Sequence, residues 1–161
     1  GKDSRTYRRV SMLQGLAPQG IILAGKRSEI AEVAVVIDTS GSMMDSELQI
    51  CLNESQGIIR SLKNTEVTFY TCDANTSTPH KTSDVRKIIM QGGGGTDMRV
   101  GIRGALENGI NKPNIIIVMT DGGTPWPDRE IKDTKIIACI VGRYGATHRI
   151  PKWMPMVEAK D

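Results

Sequence analysis

Val33-Ala34-Val35-Val36-Ile37-Asp38-Thr39-Ser40-Gly41-Ser42 is the stretch on which the reading of the chain turns. Its first five residues are continuously apolar and mostly β-branched, the pattern of a strand covered on both faces, as in a parallel sheet. At Asp38 the character changes to an acid, hydroxyls and a glycine, the residues of a tight turn. Beyond the turn Met44, Leu48, Cys51, Ile58 and Leu62 recur at three- and four-residue steps, with Ser55 in the one gap, which predicts an amphipathic helix. A buried strand running through a polar turn into a helix is the opening of a βαβ unit.

The same grammar repeats outward. Residues 115–119 and 136–141 are apolar runs of the same kind, and 67–72 mixes polar and apolar positions, as a strand nearer an edge does. Met98, Ile102, Ala105, Leu106 and Ile110 predict a second helix just before the central strand. Strand–helix alternation of this kind means a doubly wound, mostly parallel α/β sheet with right-handed crossovers. Between Asn75 and Pro79 lies turn chemistry, and 84–90 reads equally as a short strand or a helical turn. The tail, 143–161, closes the domain with a short strand or helix near Trp153. No internal repeat is visible.

At 161 residues the chain has room for one domain, and 39% hydrophobic with 24% charged residues is ordinary globular composition. Apolar runs reach five or six residues, far short of the ~20 that span a bilayer. The opening Gly1-Lys2 lacks a methionine and fits a piece trimmed from a longer protein. Net charge is +3, but residues 1–30 hold six cations against Asp3 and Glu29, so that stretch carries +4 and the remainder −1. Residues 1–30 are therefore read as a basic arm or leader and 31–161 as the folded domain. Such an arm is ordinarily solvated or part of an interdomain contact; contact with nucleic acid is the alternative, poorly supported by a single aromatic, Tyr7. Cys51, Cys72 and Cys139 are odd in number, widely spaced and without a Cys-x-x-Cys pair. They predict buried free thiols in a reducing compartment, the cytoplasm, rather than a disulfide or zinc framework.

Three loops carry chemistry. Asp38-Thr39-Ser40-Gly41-Ser42 ends the first strand, and Met119-Thr120-Asp121-Gly122-Gly123 ends the most apolar one. Gly92-Gly93-Gly94-Gly95-Thr96-Asp97 brings a hydroxyl on a flexible loop immediately before a helix. In an open α/β sheet, loops at the carboxyl ends of strands converge at the topological switch point. Two carboxylates, Asp38 and Asp121, with three hydroxyls, Ser40, Ser42 and Thr96, form an all-oxygen donor set. That set suits a hard cation, Mg²⁺ or Mn²⁺, and not zinc.

Asp38-x-Ser40-x-Ser42, then Thr96, then Asp121 resembles the metal-ion-dependent adhesion site (MIDAS) of von Willebrand factor A (VWA) domains. The likeness covers about residues 31–142 and all five ligand positions. It implies a compact version of the Rossmann-like VWA fold and a site at which a partner carboxylate completes the coordination of the ion. The tetraglycine stretch and the brevity of the chain look most like the VWA-like domain that ends certain bacterial and phage proteins of metallopeptidase type. Such proteins commonly work with MoxR-type AAA+ ATPases, which is the partner the resemblance implies. Two departures stand out. Only residues 74–95 separate Asp73 from Thr96, little room for the helix of larger VWA domains, and the segment from Asp121 to the next strand is also short, so a sixth strand and a full closing helix are in doubt. The His-Glu-x-x-His zinc motif is missing, so any peptidase activity lies on sequence outside this chain.

Other readings of the same residues are weaker. Ser40 and Ser42 as mere helix caps leave Thr96 and Asp121 unexplained. No Gly-Lys-Ser/Thr follows the glycine run, as a phosphate loop requires, and the first turn has only Gly41 where a dinucleotide fold needs three glycines. His80 and His148 read as surface residues, Asp73 as a turn former and Asp97 as a helix start. Met43, Met98 and Trp126 adjoin the three loops. They are candidates for an apolar rim around the site, with core positions for the two methionines and a lid role for Trp126 as the alternatives. A metal-dependent hydrolase would need a general base or nucleophile that these loops do not supply. The expectation is a cation-dependent interaction module and not an enzyme.

Overall fold

A computed structural model describes residues 6–8, 31–39, 43, 45–61, 65–72, 77–80, 97–109, 111–142 and 146–159. In chain order the elements are β1 (Thr6–Arg8), β2 (Ala31–Asp38), α1 (Asp45–Ser61), β3 (Thr65–Cys72), β4 (Ser77–His80), α2 (Met98–Glu107), β5 (Ile115–Thr120), β6 (Lys135–Val141) and β7 (Met156–Ala159). A short 3₁₀ turn, Thr147–Arg149, precedes β7. The strands form one sheet in the order β1-β7-β6-β5-β2-β3-β4. Every neighbouring pair is parallel except β3–β4.

Period-two alternation sorts the apolar runs onto two faces. Val33, Val35 and Ile37 of β2 join Ile115, Ile117 and Met119 of β5 and Ile137, Cys139 and Val141 of β6 in one core, which Ile50, Cys51 and Leu52 of α1 cover. Their neighbours Ala34, Val36, Ile116, Val118, Ile136, Ala138 and Ile140 face the other way, onto Met98, Ile102 and Ala105 of α2. Among the described residues one helix lies on each face of a mostly parallel sheet, the doubly wound α/β arrangement expected from the sequence. Each fully buried Ile or Val contributes roughly 1.5–3 kcal/mol, so these strands supply the bulk of the cohesion. Helix α2 lies so close to the sheet that a Cβ on Gly101 would sit 2.5 Å from Val36 Cγ1.

Three expectations need correction. Residues 77–80 are a strand, not a turn: Ser77–His80 pairs antiparallel with β3, and Pro79 is tolerated because β4 is an edge. The doubt over a sixth strand also falls, since β7 extends the sheet beyond β6. The basic arm is not wholly outside the domain, because Thr6–Arg8 add the edge strand β1 in parallel with β7, Thr6 opposite Met156. The alternatives for 84–90 and the glycine run 92–95 lie outside the described residues. The cysteines are free and buried, as the composition suggests. Among the described residues no helix is long and apolar enough to cross a membrane.

Candidate metal centre

Strand order reverses direction at β2. From β2 the chain moves to β3 and β4 on one side and then returns to β5 on the other. The carboxyl ends of β2 and β5 therefore flank the switch point, where an open sheet leaves a crevice for ligands. In the parallel register Ile37 lies opposite Met119, so the next residues, Asp38 and Thr120, end the two strands side by side.

Asp38 is 1% exposed and Thr120 is 0% exposed. The Thr120 hydroxyl donates a 2.6 Å hydrogen bond to Asp38 Oδ2 and accepts one of 3.1 Å from the backbone N–H of Gly122. A short bond to a charged acceptor is among the stronger hydrogen bonds a protein makes, so this one fixes the rotamer of the Asp38 carboxylate. Asp121 follows directly and is half-buried. Its Oδ1 accepts from Gly123 N–H at 2.9 Å, and its carbonyl accepts from Ala146 N–H at 2.6 Å. Gly122 takes φ +88°, and a Cβ there would meet the Ala146 carbonyl oxygen at 2.7 Å, so the turn that presents Asp121 requires glycine on both counts.

The third loop arrives on α2. Met98 N–H donates to Thr124 Oγ1 at 2.9 Å, and Cys72 Sγ, whose residue pairs with Asp38, donates to the Asp97 carbonyl at 3.3 Å. These two bonds tie the start of α2 to the β5 loop and to the end of β3. Asp97 caps the helix: its Oδ1 accepts from Arg99 N–H at 3.0 Å, and the Arg99 guanidinium closes a fork onto both carboxylate oxygens. That fork holds the Asp97 carboxyl below the usual carboxylate range. On the opposite face of the sheet, burial, followed by the Asp38 charge, pushes the Cys51 thiol far up.

Of the five expected ligands, Asp38 ends β2 and Asp121 directly follows the end of the neighbouring β5. Ser40, Ser42 and Thr96 lie outside the described residues, as does Asp73. Among the described residues no group of three or more His, Cys, Asp or Glu gathers. The expected donors are instead two carboxylates and three hydroxyls, a hard set that fits Mg²⁺ or Mn²⁺.

The apolar rim is corrected. Met43, Met98 and Trp126 are 5%, 0% and 8% exposed, and each belongs to one of the two cores. Trp126 folds back so that Nε1 points at the Gly122 carbonyl, 3.4 Å away, which is the lid alternative. His148 is exposed, as expected of a surface residue. Sequence pattern alone assigns no role to Thr120 or Thr124. Thr120 was within reach of it, since a hydroxyl directly before a strand-end acid lies opposite Asp38 once β2 and β5 are paired. Thr124 has no comparable signal.

Among solved structures, a crystal structure of the SpRpn10 VWA domain is similar at 14% sequence identity and a TM-score of 0.46, covering 83% of this chain and 88% of that one. The search of curated proteins returned no match. The family profile described as VWA-like domain (DUF2201) matches residues 33–158, from the first buried strand almost to the end of β7. A match over that much of the sheet and both helices settles the kinship: this chain belongs to the VWA-like domain family.

Proposed function

We propose that this domain is a protein-interaction module that holds one Mg²⁺ or Mn²⁺ and grips a partner's Asp or Glu through it. On this reading Asp38, Ser40, Ser42, Thr96 and Asp121 are the residues that hold the ion. The observation that carries it is that two acids, Asp38 and Asp121, stand at neighbouring strand ends of the switch point, with the Asp38 carboxylate held by Thr120. Their combined −2 balances a divalent cation. The N-terminus of α2, tied to the same rim through Thr124 and Cys72, adds roughly half a positive charge. The balance favours an anionic ligand from outside. When bound, the ion supplies an electrostatic anchor for that carboxylate; the protein's own part is to hold the donors rigid.

Binding is favoured over catalysis by the state of the candidate nucleophiles. Cys51 and Cys139 are fully buried, and burial pushes both thiols up, which keeps them protonated and inert. The partner this reading points to is a MoxR-type AAA+ ATPase of a bacterial or phage system, met in the cytoplasm. The test is biolayer interferometry of the immobilised domain with such an ATPase in Mg²⁺ and then in EDTA. Association that needs Mg²⁺ and is lost in Asp38→Ala supports the proposal. Association indifferent to both, or none at all, opposes it.

A further inference from the structure

We propose that the cleft between the loop after β5 and the segment leading into β7 is a docking groove for an extended acidic segment of a partner protein. It goes beyond the cation site, because none of its residues is a proposed metal ligand. The cleft has a volume of about 460 Å³. Its apolar surface comes from Trp126, Trp153, Pro125, Pro127 and Pro151. Prolines fix the backbone and Trp126 is anchored in the core, so the surface is preformed and loses little freedom when a chain is laid on it.

Charge selects the occupant. Arg149 and Lys152 also line the cleft, both exposed, and neither forms an ion pair among the described residues. Asp128 is the one acid in the lining, so the two cations are in excess. The cleft is therefore electropositive, which favours acidic side chains and opposes a cationic ligand between the two tryptophans. A polypeptide is favoured over a nucleic acid because Trp126 is enclosed and offers no open ring face on which a base could stack.

Fluorescence anisotropy on the full chain, at low salt and in EDTA, tests the proposal with three labelled probes. They are a capped octapeptide alternating Asp and Glu, the same peptide in Asn and Gln, and a single-stranded DNA 12-mer. The acidic peptide should bind wild type, with the amide peptide at least about tenfold weaker. Arg149→Glu combined with Lys152→Glu should weaken the acidic peptide by at least about tenfold while the melting midpoint stays put, since both side chains are exposed. Because EDTA strips any ion from the wild type, peptide binding in this buffer reads the groove alone, which separates failure of the groove from failure of the cation site. No binding of the acidic peptide at about 1 mM, or a smaller loss in the double variant, overturns the proposal. So does tighter binding of the DNA.

Discussion

Thr120→Val is the sharpest probe of how the strand-end carboxylate is held. The substitution keeps the shape of a side chain that is 0% exposed and removes only its hydroxyl, so no cavity is opened. Two bonds disappear with it: the 2.6 Å donation to Asp38 Oδ2 and the 3.1 Å bond from Gly122 N–H. A hydrogen bond to a charged group contributes about 1.5–3 kcal/mol, and a buried N–H left without an acceptor costs about 1–3 kcal/mol. Partial relaxation of the glycine turn places the expected loss near ~3 kcal/mol. For a chain of this size that lowers the melting midpoint by roughly 6–12 °C. Thr120→Ser keeps the hydroxyl, loses one buried methyl and should cost only ~1 kcal/mol. Circular dichroism during thermal and urea unfolding, both in EDTA, reads the two variants without any contribution from metal. A Val variant as stable as the Ser variant would refute the assignment of Thr120 as the brace of Asp38. With metal present, the Val variant should bind the ion roughly 10–100-fold more weakly, the usual effect of removing a partner that orients a ligand.

Other features of the fold make further predictions. Gly101→Ala should destabilise by ~1–3 kcal/mol in urea unfolding despite the better helix propensity of alanine, because the new methyl would stand 2.5 Å from Val36 Cγ1; a stabilised variant would show that α2 does not pack this closely. Asp97→Asn keeps the cap and removes the charge. Because the Arg99 fork depresses the folded carboxyl below its ordinary 3.8, the wild type should hold a small advantage at neutral pH. That advantage fades as pH falls below 3.8 and through the lower folded value, and melting curves at pH 7 and pH 2.5 that show the same gap would contradict the fork. All three thiols are buried, so the native protein should resist a thiol reagent and yield three equivalents once unfolded; fast native labelling of Cys51 would place it outside the core.

The parts of the fold that were legible in the sequence are those whose surroundings are uniform. β2, β5 and β6 lie in the middle of the sheet with a core on each face, so their apolar runs speak for themselves. β4 was not legible, because Ser77, Thr78 and Pro79 have turn chemistry and become a strand only through pairing with Phe69–Cys72. β1 is a three-residue edge whose partner is 150 positions away, a distance no local pattern crosses. At the site, Asp38 and Asp121 stood out because acids interrupt apolar strands there. The burial of Trp126 did not, since two flanking prolines suggest a projecting loop, and only the packing of α2 and the last segment encloses the ring. Thr120 needed the β2–β5 register before its role could be seen.

At the centre stands the proposal that Asp38 and Asp121, at neighbouring strand ends, are two of the five donors of a divalent cation site. Isothermal titration of the metal-free domain with Mn²⁺, run beside Asp38→Ala and Thr96→Ala, tests it most directly. The account predicts one site in the wild type and none in Asp38→Ala, with weakened binding in Thr96→Ala. It also predicts that EDTA leaves the protein folded, because the two cores are built mainly from the strands and helices. Binding by both variants that matches the wild type, or no binding by the wild type itself, would contradict it.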